Sequence, residues 1–467
     1  MFGSTARRSS ARFASAHRMA PRPRSCRGSL SAKKWCSLMV DRALSFSICA
    51  LIATSCTTVA PKPSPSTAIS PAPSQSHSTV SDGVAAVPPI QTPRVIPASE
   101  KQPIPAAEIA VAAQRAFARG IEWTLTNQRP NGAWGSFESV RLSEVFLDTQ
   151  ASHFAFGTAT TALVAWSLIE PAHTDSRCRG ALERGLANLL SRDPPGRASG
   201  NTFYSVWSHT YLLELAAAVL DDDSLAAFHD PMRALMAKEL LLVRREQGTE
   251  GGWGYYDFNY TGINPSGNES TSFNTAAMIL AMKSADRQGG VVPDGTYEDA
   301  TRAVLRMKLP SGTFAYGTYA QLAPRADYNK VSGSSGRLQS CNVALHAMHA
   351  GGVTPEVLLR GVQHLRDTHQ YIEIGRGRTR PHEAYYRTSG YYYYFGHYYA
   401  ACALALVPPS PERAEMVRWL AQVMVHDQNP DGSWFDYPLY NYGRAYGTGF
   451  ALLTLEILNP LIKESFP

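Results

Sequence analysis

The chain has 467 residues, more than one ordinary domain, and a formal net charge of +6. Residues 1–56 hold ten Lys or Arg and one acid, so they carry +9 and the remainder of the chain carries −3. A mildly acidic globular part lacks the basic surface that nucleic-acid binding requires, and we therefore expect no nucleic-acid partner.

The leader, residues 1–56, ends in a short apolar segment. Residues 42–56 (RALSFSICALIATSC) combine a basic flank with an apolar run of about eleven residues, which is too short to span a bilayer and is typical of a signal sequence. The last four residues, Ala53 to Cys56, resemble a bacterial lipoprotein signal, although Ala53 stands where leucine is preferred. That resemblance implies lipidation of Cys56. Simple cleavage and an uncleaved apolar anchor stay open as alternatives.

Residues 57–105 are dominated by Pro, Ser, Thr and Ala. So little apolar surface cannot offset the entropy lost on ordering, and the sequence predicts an extended, disordered tether. A tether after a lipoprotein-type signal predicts that the globular part, residues 106–462, is extracytoplasmic and anchored to a membrane of the cell envelope. Beyond the leader only Cys178, Cys341 and Cys402 accompany Cys56, so no disulfide framework is expected and core packing must hold the fold.

One phrase recurs through the globular part: a polar residue, three spacers, a glycine, one spacer and an aromatic residue. It occurs as QRPNGAW (128–134), QGTEGGW (247–253), the degraded KLPSGTF (308–314) and QNPDGSW (428–434). The aromatic positions are about 120, 60 and 120 residues apart. A fixed period of about sixty residues indicates a repeat architecture of six units.

Each unit is predicted to be two helices joined by this turn. The first helix of the chain carries its apolar residues on one face, whereas the second, beginning near Gly157, is apolar or small nearly all round, as in a helix buried on every side. Six such inner helices and six amphipathic outer helices predict an all-α (α/α)6 toroid. An open helical solenoid is the alternative, but terminal capping repeats are not evident.

The Gln-x3-Gly-x-Trp phrase resembles the QW repeat of the squalene cyclase and protein prenyltransferase superfamily, whose members also carry prenyltransferase and squalene oxidase repeats. In that family the glutamine caps its helix end and the tryptophan stacks on it, which ties one unit to the next. The resemblance covers residues 106–460 and implies the α/α toroid. It implies little about activity, because one fold hosts many functions.

The catalytic motifs of that superfamily are incomplete here. Cyclases of the squalene type use an Asp-x-Asp-Asp motif, and the nearest match, Asp221-Asp222-Asp223-Ser224, lacks the last aspartate. Prenyltransferases hold zinc with Asp-x-Cys and a histidine, but Gln339 stands where the aspartate should precede Cys341. Cys341 and His397 are therefore only weak metal candidates, since two protein ligands rarely hold zinc. We expect no cofactor.

A cavity at the inner-helix N-termini is the better candidate for a site. Side chains at those positions are the predicted ligand-binding residues: His209, Asn274, Cys341, His397 and Tyr398. Dense tyrosines near them suit a hydrophobic tunnel, sugar stacking or cation binding. Weak catalytic candidates are His397, Asp257 and Glu269. Glu138 and Asp436, which follow repeated turns like Asp257, and Glu383 are further carboxylates that could supply an acid or a base, and the sequence selects no pair among them.

Three hypotheses follow. The first is a membrane-tethered, monomeric toroid that binds an apolar isoprenoid-type ligand or lipid in an aromatic central cavity. The second is a carbohydrate-active lyase or hydrolase, and the third is a non-catalytic scaffold for proteins. A deep apolar cavity would favour the first, an open groove with paired carboxylates the second, and a filled centre the third. Whether the protein is an enzyme stays open.

Overall fold

The computed structural model describes the globular part with short gaps. The described residues are 101–137, 149–197, 202, 204–255, 270–319, 323–378, 385–388, 390–437 and 440–466. Within these ranges the structure contains thirteen α-helices and isolated bridges but no named strand. The leader, most of the tether, Cys56, Asp257 and Glu269 lie outside the described residues.

Twelve of the helices form two layers of six. The outer layer consists of α1 (Ile109–Thr126), α3 (Ser176–Leu190), α5 (His229–Arg245), α7 (Thr296–Met307), α9 (Pro355–Asp367) and α12 (Pro411–His426). The inner layer consists of α2 (Gln150–Ser167), α4 (Ser205–Asp221), α6 (Ser272–Arg287), α8 (Val331–Ala347), α11 (Tyr393–Leu406) and α13 (Tyr442–Ser465). A short extra helix, α10 (His369–Gly375), follows α9.

Each inner helix packs against the next, and α13 packs against α2, so the ring is closed. The (α/α)6 toroid is thus confirmed and the open solenoid is excluded. The inner helices carry few charges, so they can be buried on nearly every face. The outer helices α7 and α9 instead bury one apolar stripe and expose their polar residues.

The outer helices begin with different kinds of cap. Ser410 caps α12, since its hydroxyl accepts the N–H of Arg413 and Pro411 occupies the first turn. Thr354 makes no such bond before α9. At α7 the cap is Gly295 in a left-handed conformation, and Thr296 already lies within the helix.

The repeated turn joins neighbouring units through two side chains. The indole N–H of Trp253 donates to the carbonyl of Val243 in the last turn of α5, at 2.8 Å. The side-chain amide of Gln247 donates to the carbonyls of Gly251, at 2.7 Å, and of Thr296 in α7, at 3.1 Å. Trp134 and Trp434, with Gln128 and Gln428, repeat this arrangement.

The roles of the glutamine and the tryptophan therefore differ from those that the family resemblance implies. Tryptophan satisfies the orphan carbonyl at the end of its own outer helix, and glutamine reaches the next outer helix. The turn glycine is required by close approach: Gly251 has φ +99°, and an added Cβ would lie 2.4 Å from the carbonyl oxygen of Asp299 in α7.

The last unit uses the same contacts to close the ring on the first. Gln428 donates to the carbonyl of Ala116 in α1 at 2.7 Å, and the guanidinium of Arg119 donates to the carbonyl of Pro430 at 2.7 Å. Trp434 packs against Gly120, where an added Cβ would lie 2.5 Å from the indole. We call this contact between α12, its turn and α1 the seam.

Among the described residues, one helix, α13, is long and apolar enough to cross a membrane by length and composition. It forms the sixth inner helix, and 83% of its apolar window is buried inside the toroid. Its apolar character is therefore explained by core packing.

Trp253 provides a test of the turn as a structural link. It is 3% exposed, and Trp253→Ala should lower the free energy of unfolding by about 3–5 kcal/mol because the site would be left as a cavity. Denaturant unfolding of the globular fragment measures this loss. Trp253→Phe is the matched control, which keeps a ring but removes the N–H donor and should cost about 1–2 kcal/mol. An alanine variant as stable as the parent would contradict the role.

Candidate functional site

The centre of the toroid is filled by aromatic side chains. Trp207 of α4 and Phe395 of α11 belong to opposite units, yet their rings meet edge to face with centroids 5.4 Å apart. Tyr211 and Phe450 meet in the same way at 5.6 Å. These rings are large enough to span the ring interior, so the described residues leave no deep tunnel. The expected central cavity is therefore corrected to a pocket at one mouth.

That pocket lies at the N-terminal ends of the inner helices. We call it the mouth pocket; it is lined by Phe156, Tyr204, Trp207, Tyr255, Tyr391, Asp436, Tyr437, Tyr440, Gly443 and Tyr446. Its free volume is about 50 Å³, and about 500 Å³ when space open to solvent is included. Eight of its ten lining residues are aromatic.

Tyr204 enters the mouth pocket from a constrained backbone. It precedes α4 with φ 69° and ψ 7°, a left-handed conformation that is uncommon for a bulky residue. Its ring packs against Phe156 at 5.0 Å and Tyr255 at 5.5 Å. Strained residues of this kind concentrate at functional sites, so the conformation of Tyr204 favours the mouth pocket as the functional site.

Asp436 is the one carboxylate among the described residues that line the mouth pocket. It is 0% exposed, and neither carboxyl oxygen has a hydrogen-bond partner of ordinary geometry among the described residues. Its backbone carbonyl accepts the N–H of Gly377 at 2.7 Å, which fixes the residue against the end of α10. The side chain is thus held in place by its backbone while its carboxyl stays unsatisfied.

Burial raises the pKa of Asp436 to about 8, because the charged form loses its hydration. The backbone N–H groups of Tyr394 and Tyr437 and the charge of Arg376 act in the opposite direction and are outweighed. Asp436 is therefore mostly a neutral carboxylic acid at pH 7. In that state it can donate a hydrogen bond or hold a proton within an aromatic environment.

Behind Asp436 lies a buried ion-pair network. Arg376 donates to Asp427 at 3.1 Å, and Lys101 bonds both Asp427 at 2.7 Å and Glu373 at 2.9 Å. Burial alone would raise the pKa of Asp427, but Arg376 and Lys101 hold it well below its usual range. Arg376 forms its ion pair with Asp427 and acts on Asp436 through its charge alone.

His397 belongs to this network rather than to the pocket. It is 0% exposed, its Nε2 lies 3.0 Å from Nε2 of His369, and its Nδ1 lies 2.6 Å from the carbonyl of Tyr393. A carbonyl only accepts, so His397 carries its proton on Nδ1 and its Nε2 accepts from His369. Tyr393 in turn donates to Asp427 at 2.5 Å. The expectation that His397 lies at the cavity mouth is corrected, because the side chain is buried within this network.

His209 also faces away from the centre. Its Nδ1 lies 2.5 Å from Glu239 of α5, and its Nε2 lies 3.4 Å from Glu246. Burial alone would lower the pKa of His209, but the two carboxylates outweigh it and raise the pKa to about 10. The residue is an ion-paired link between the inner and outer layers.

The other predicted ligand-binding residues are buried as well. Asn274 is 1% exposed, and its amide finds no hydrogen-bond partner among the described residues. Tyr398 lies in the filled centre, edge to face with Trp166 at 5.9 Å. Neither residue lines the mouth pocket, nor do the other three, and as ligand-binding residues all five stay predictions.

The metal candidates gain no further ligands. Burial raises the pKa of the Cys341 thiol to about 12, so it stays protonated at neutral pH. Among the described residues, no group of three or more His, Cys, Asp or Glu side chains is arranged to hold a metal. Asp222, from the partial aspartate motif, accepts the N–H of Ser224 and pairs with His173 at 2.8 Å, so it stabilises a turn.

Comparison with known proteins bears on the family. The family model for the squalene-hopene cyclase C-terminal domain matches residues 100–296. A squalene–hopene cyclase from Zymomonas mobilis is 25% identical over 181 residues, which cover 35% of this chain and 25% of that protein. These matches bear out the predicted resemblance to the squalene cyclase and protein prenyltransferase superfamily. The chain spans about a quarter of the length of this curated relative.

Solved structures of similar shape exist at low identity. A type II terpene cyclase from Scytonema has 12% identity and a TM-score of 0.46, covering 76% of this chain and 99% of its own. A protein from Actinoplanes has 16% identity and a TM-score of 0.46, covering 74% and 99%. An α-1,6-mannanase from Salegentibacter has 11% identity and a TM-score of 0.45, covering 77% and 100%. With TM-scores below 0.5 they carry no argument about the activity of this squalene cyclase-like toroid.

Several pocket residues of the toroid carry a sequence signal. Tyr255, Tyr391, Tyr440 and Tyr446 belong to the aromatic clusters, and Asp436 follows a repeated turn. Trp207 and Phe156 have no such signal, because a single aromatic residue on an apolar helix does not show which face it occupies. Tyr204 is identified only by its backbone conformation.

The buried histidine pair predicts a specific pH dependence of stability. Burial lowers the pKa of folded His397 to about 4, whereas an unfolded histidine titrates near about 6.5. As pH falls from about 6.5 to about 4, the unfolded chain therefore takes up a proton that the folded chain does not, and stability is lost. The loss should be about 3 kcal/mol.

The measurement compares the native chain with His397→Gln by denaturant unfolding at pH 7 and pH 4, because other groups titrate over the same range. The glutamine side chain can still accept a hydrogen bond from His369. The His397→Gln variant should be less stable than the native chain at pH 7, and this difference in the free energy of unfolding should narrow by about 2–3 kcal/mol at pH 4. A gap that stays constant between the two pH values would contradict a neutral, buried His397.

Proposed function

We propose that this protein is an extracytoplasmic, membrane-tethered toroid that binds one end of an apolar, isoprenoid-type ligand in the mouth pocket. The observation that carries the proposal is a pocket lined by eight aromatic residues around one unpaired carboxyl. The match to a squalene–hopene cyclase domain supports an isoprenoid-type ligand. The signal and tether support the location outside the cytoplasm.

Binding is favoured over cyclisation by the acidity of Asp436. Protonation of an alkene needs a strong acid, and a carboxyl whose pKa is raised to about 8 is a weak one. Cyclases of the squalene type strengthen their acid with neighbouring carboxylates, and none lines the mouth pocket among the described residues. The aromatic rings still suit an apolar ligand, because they supply contact area at little entropic cost.

The enclosed part of the pocket limits how much of the ligand enters. Drug-sized ligands occupy pockets of about 300–1,000 Å³, whereas the free volume here is about 50 Å³. One end group therefore enters while the remainder lies toward the open mouth. Such a ligand is anchored at one end, unlike a substrate that is folded inside a closed cavity.

The carbohydrate-active alternative would need a second carboxylate. Glycoside hydrolysis uses two carboxyl groups about 5–9.5 Å apart, and the described residues lining the pocket include Asp436 alone. Asp257 and Glu269 lie outside the described residues and stay predictions. The filled centre agrees with a scaffold, but a scaffold gives no reason for a strained Tyr204 beside an unsatisfied buried carboxyl.

Filling the pocket tests the binding proposal. N-phenyl-1-naphthylamine, a neutral apolar fluorophore, should bind the globular fragment, and Phe156→Trp should weaken that binding at least tenfold because it occupies the small free volume. A native ligand that co-purifies with the parent protein, detected by mass spectrometry, should be absent from purified Phe156→Trp. The matched control is Phe137→Trp, since Phe137 is 61% exposed and does not line the pocket. Equal binding by both variants would refute the site.

The tether has its own test. Cys56→Ala removes the predicted lipidation site, so the full-length protein, expressed with its leader in a bacterium, should move from the membrane fraction to the soluble fraction. Cys36→Ala, a second cysteine of the leader, should leave the distribution unchanged. Membrane association that survives in Cys56→Ala would remove the lipid anchor from the proposal.

A further inference from the structure

The mouth pocket combines two features that together select for positive charge. Aromatic faces carry negative electrostatic potential and attract cations within about 6 Å. The rings of Trp207 and Tyr255 are stacked at 6.0 Å, and Tyr204 and Tyr446 flank them. Asp436 lines the same pocket; it is fully buried, and neither carboxyl oxygen has a hydrogen-bond partner of ordinary geometry among the described residues.

A buried carboxyl without a counter-ion is unfavourable in an empty pocket. Burying the carboxyl costs free energy in both protonation states: the ionised form loses its hydration, and the neutral form leaves its oxygens without hydrogen bonds. A cation delivered by a ligand would remove that cost and also contact the aromatic faces. Neutral apolar ligands would satisfy the rings and leave the carboxyl unpaired.

The size of the pocket limits the kind of cation. One water takes about 10–15 Å³ of such volume, so a free volume of about 50 Å³ holds about four groups of that size. A trimethylammonium head has four heavy-atom groups besides its link to the rest of the ligand. A guanidinium or a primary ammonium would need several hydrogen-bond acceptors, whereas a trimethylammonium carries no N–H and needs none.

We propose that the mouth pocket recognises a trimethylated alkylammonium group, with the aromatic rings surrounding the cation and Asp436 as its counter-ion. This inference rests on the proposed function, because it names the end group of the ligand that enters the same pocket. The apolar remainder of the ligand would extend toward the open mouth.

The charged and titratable groups around Asp436 fit this assignment. Arg376 is the cation that acts on it, and that guanidinium is paired with Asp427 at 3.1 Å. Tyr394 and Tyr446 also face the carboxyl, and burial raises the pKa of both phenols, so they stay neutral. Asp427 is paired with Lys101 as well. Of these groups, Asp436 is the one whose charge changes between pH 6 and pH 9.

Binding a cation therefore requires loss of the Asp436 proton to solvent. The binding-competent fraction is the ionised fraction, and apparent affinity scales with it. With a pKa of about 8, affinity should rise about fiftyfold between pH 6 and pH 8 and then level off. A neutral ligand that accepted a hydrogen bond from the protonated acid would show the opposite trend.

The test uses choline and its uncharged carbon isostere, 3,3-dimethyl-1-butanol, which match in shape. Isothermal titration calorimetry of the globular fragment at pH 8 should show that choline binds at least tenfold more tightly than the uncharged isostere. Repeating the choline titration at pH 7 in buffers of different ionisation enthalpy should show release of close to one proton per ligand. Asp436→Asn should remove the choline preference without weakening the isostere.

The outcomes separate this inference from the proposed function. Equal binding of choline and the isostere, or affinity that falls as pH rises, overturns the cation assignment while N-phenyl-1-naphthylamine binding still supports the apolar site. If the fluorophore also fails to bind, the proposed function falls with it. The pH dependence needs only the native chain, so the inference stays testable if Asp436→Asn does not fold.

Discussion

The ring depends on a hydrogen bond that an apolar side chain delivers. In each complete copy of the repeated turn, an indole N–H satisfies a carbonyl at the end of an outer helix, at 2.8 Å in all three cases. That carbonyl would otherwise be an orphan at a buried helix end. The paired glutamine then donates to the next outer helix, so the same seven residues end one helix and position the next.

The spacing that this turn sets between neighbouring outer helices also determines how the interior of the ring is packed. Once neighbouring outer helices are spaced by the turn, six inner helices must share a narrow interior, and only small or flat side chains can meet there. Rings from opposite sides, such as Trp207 and Phe395, are in contact. The interior is therefore a packed core among the described residues, and the mouth pocket lies where the inner helices begin. Asp436 lies there because it directly follows the last repeated turn.

The sequence predicted the architecture well because periodicity reports on packing. Spacing of Trp134, Trp253, Phe314 and Trp434 was sufficient for six units, and all twelve predicted helices exist. It could not predict which side chains face the centre. Trp207 points inward, but His209, two residues later on the same helix, is rotated by about 200° and meets the outer layer. The same offset separates Phe395 from His397. Asp436 has a sequence signal as a carboxylate after a repeated turn, but its burial and its raised pKa depend on elements that are distant in the sequence, which no local pattern encodes.

The seam has a consequence for how the chain reaches its native state. Gln428 and Ala116 are separated by 312 residues, so the contact that closes the ring is among the most distant in the sequence. The length-dependent part of the entropy of closing such a loop is about 5 kcal/mol. Earlier units can assemble through contacts between chain neighbours, whereas the seam forms only after the sixth unit exists. Amide hydrogens of α1 and α12 should then be the last to gain protection from exchange during refolding, and a nascent chain should be an open arc with its aromatic interior exposed until synthesis ends.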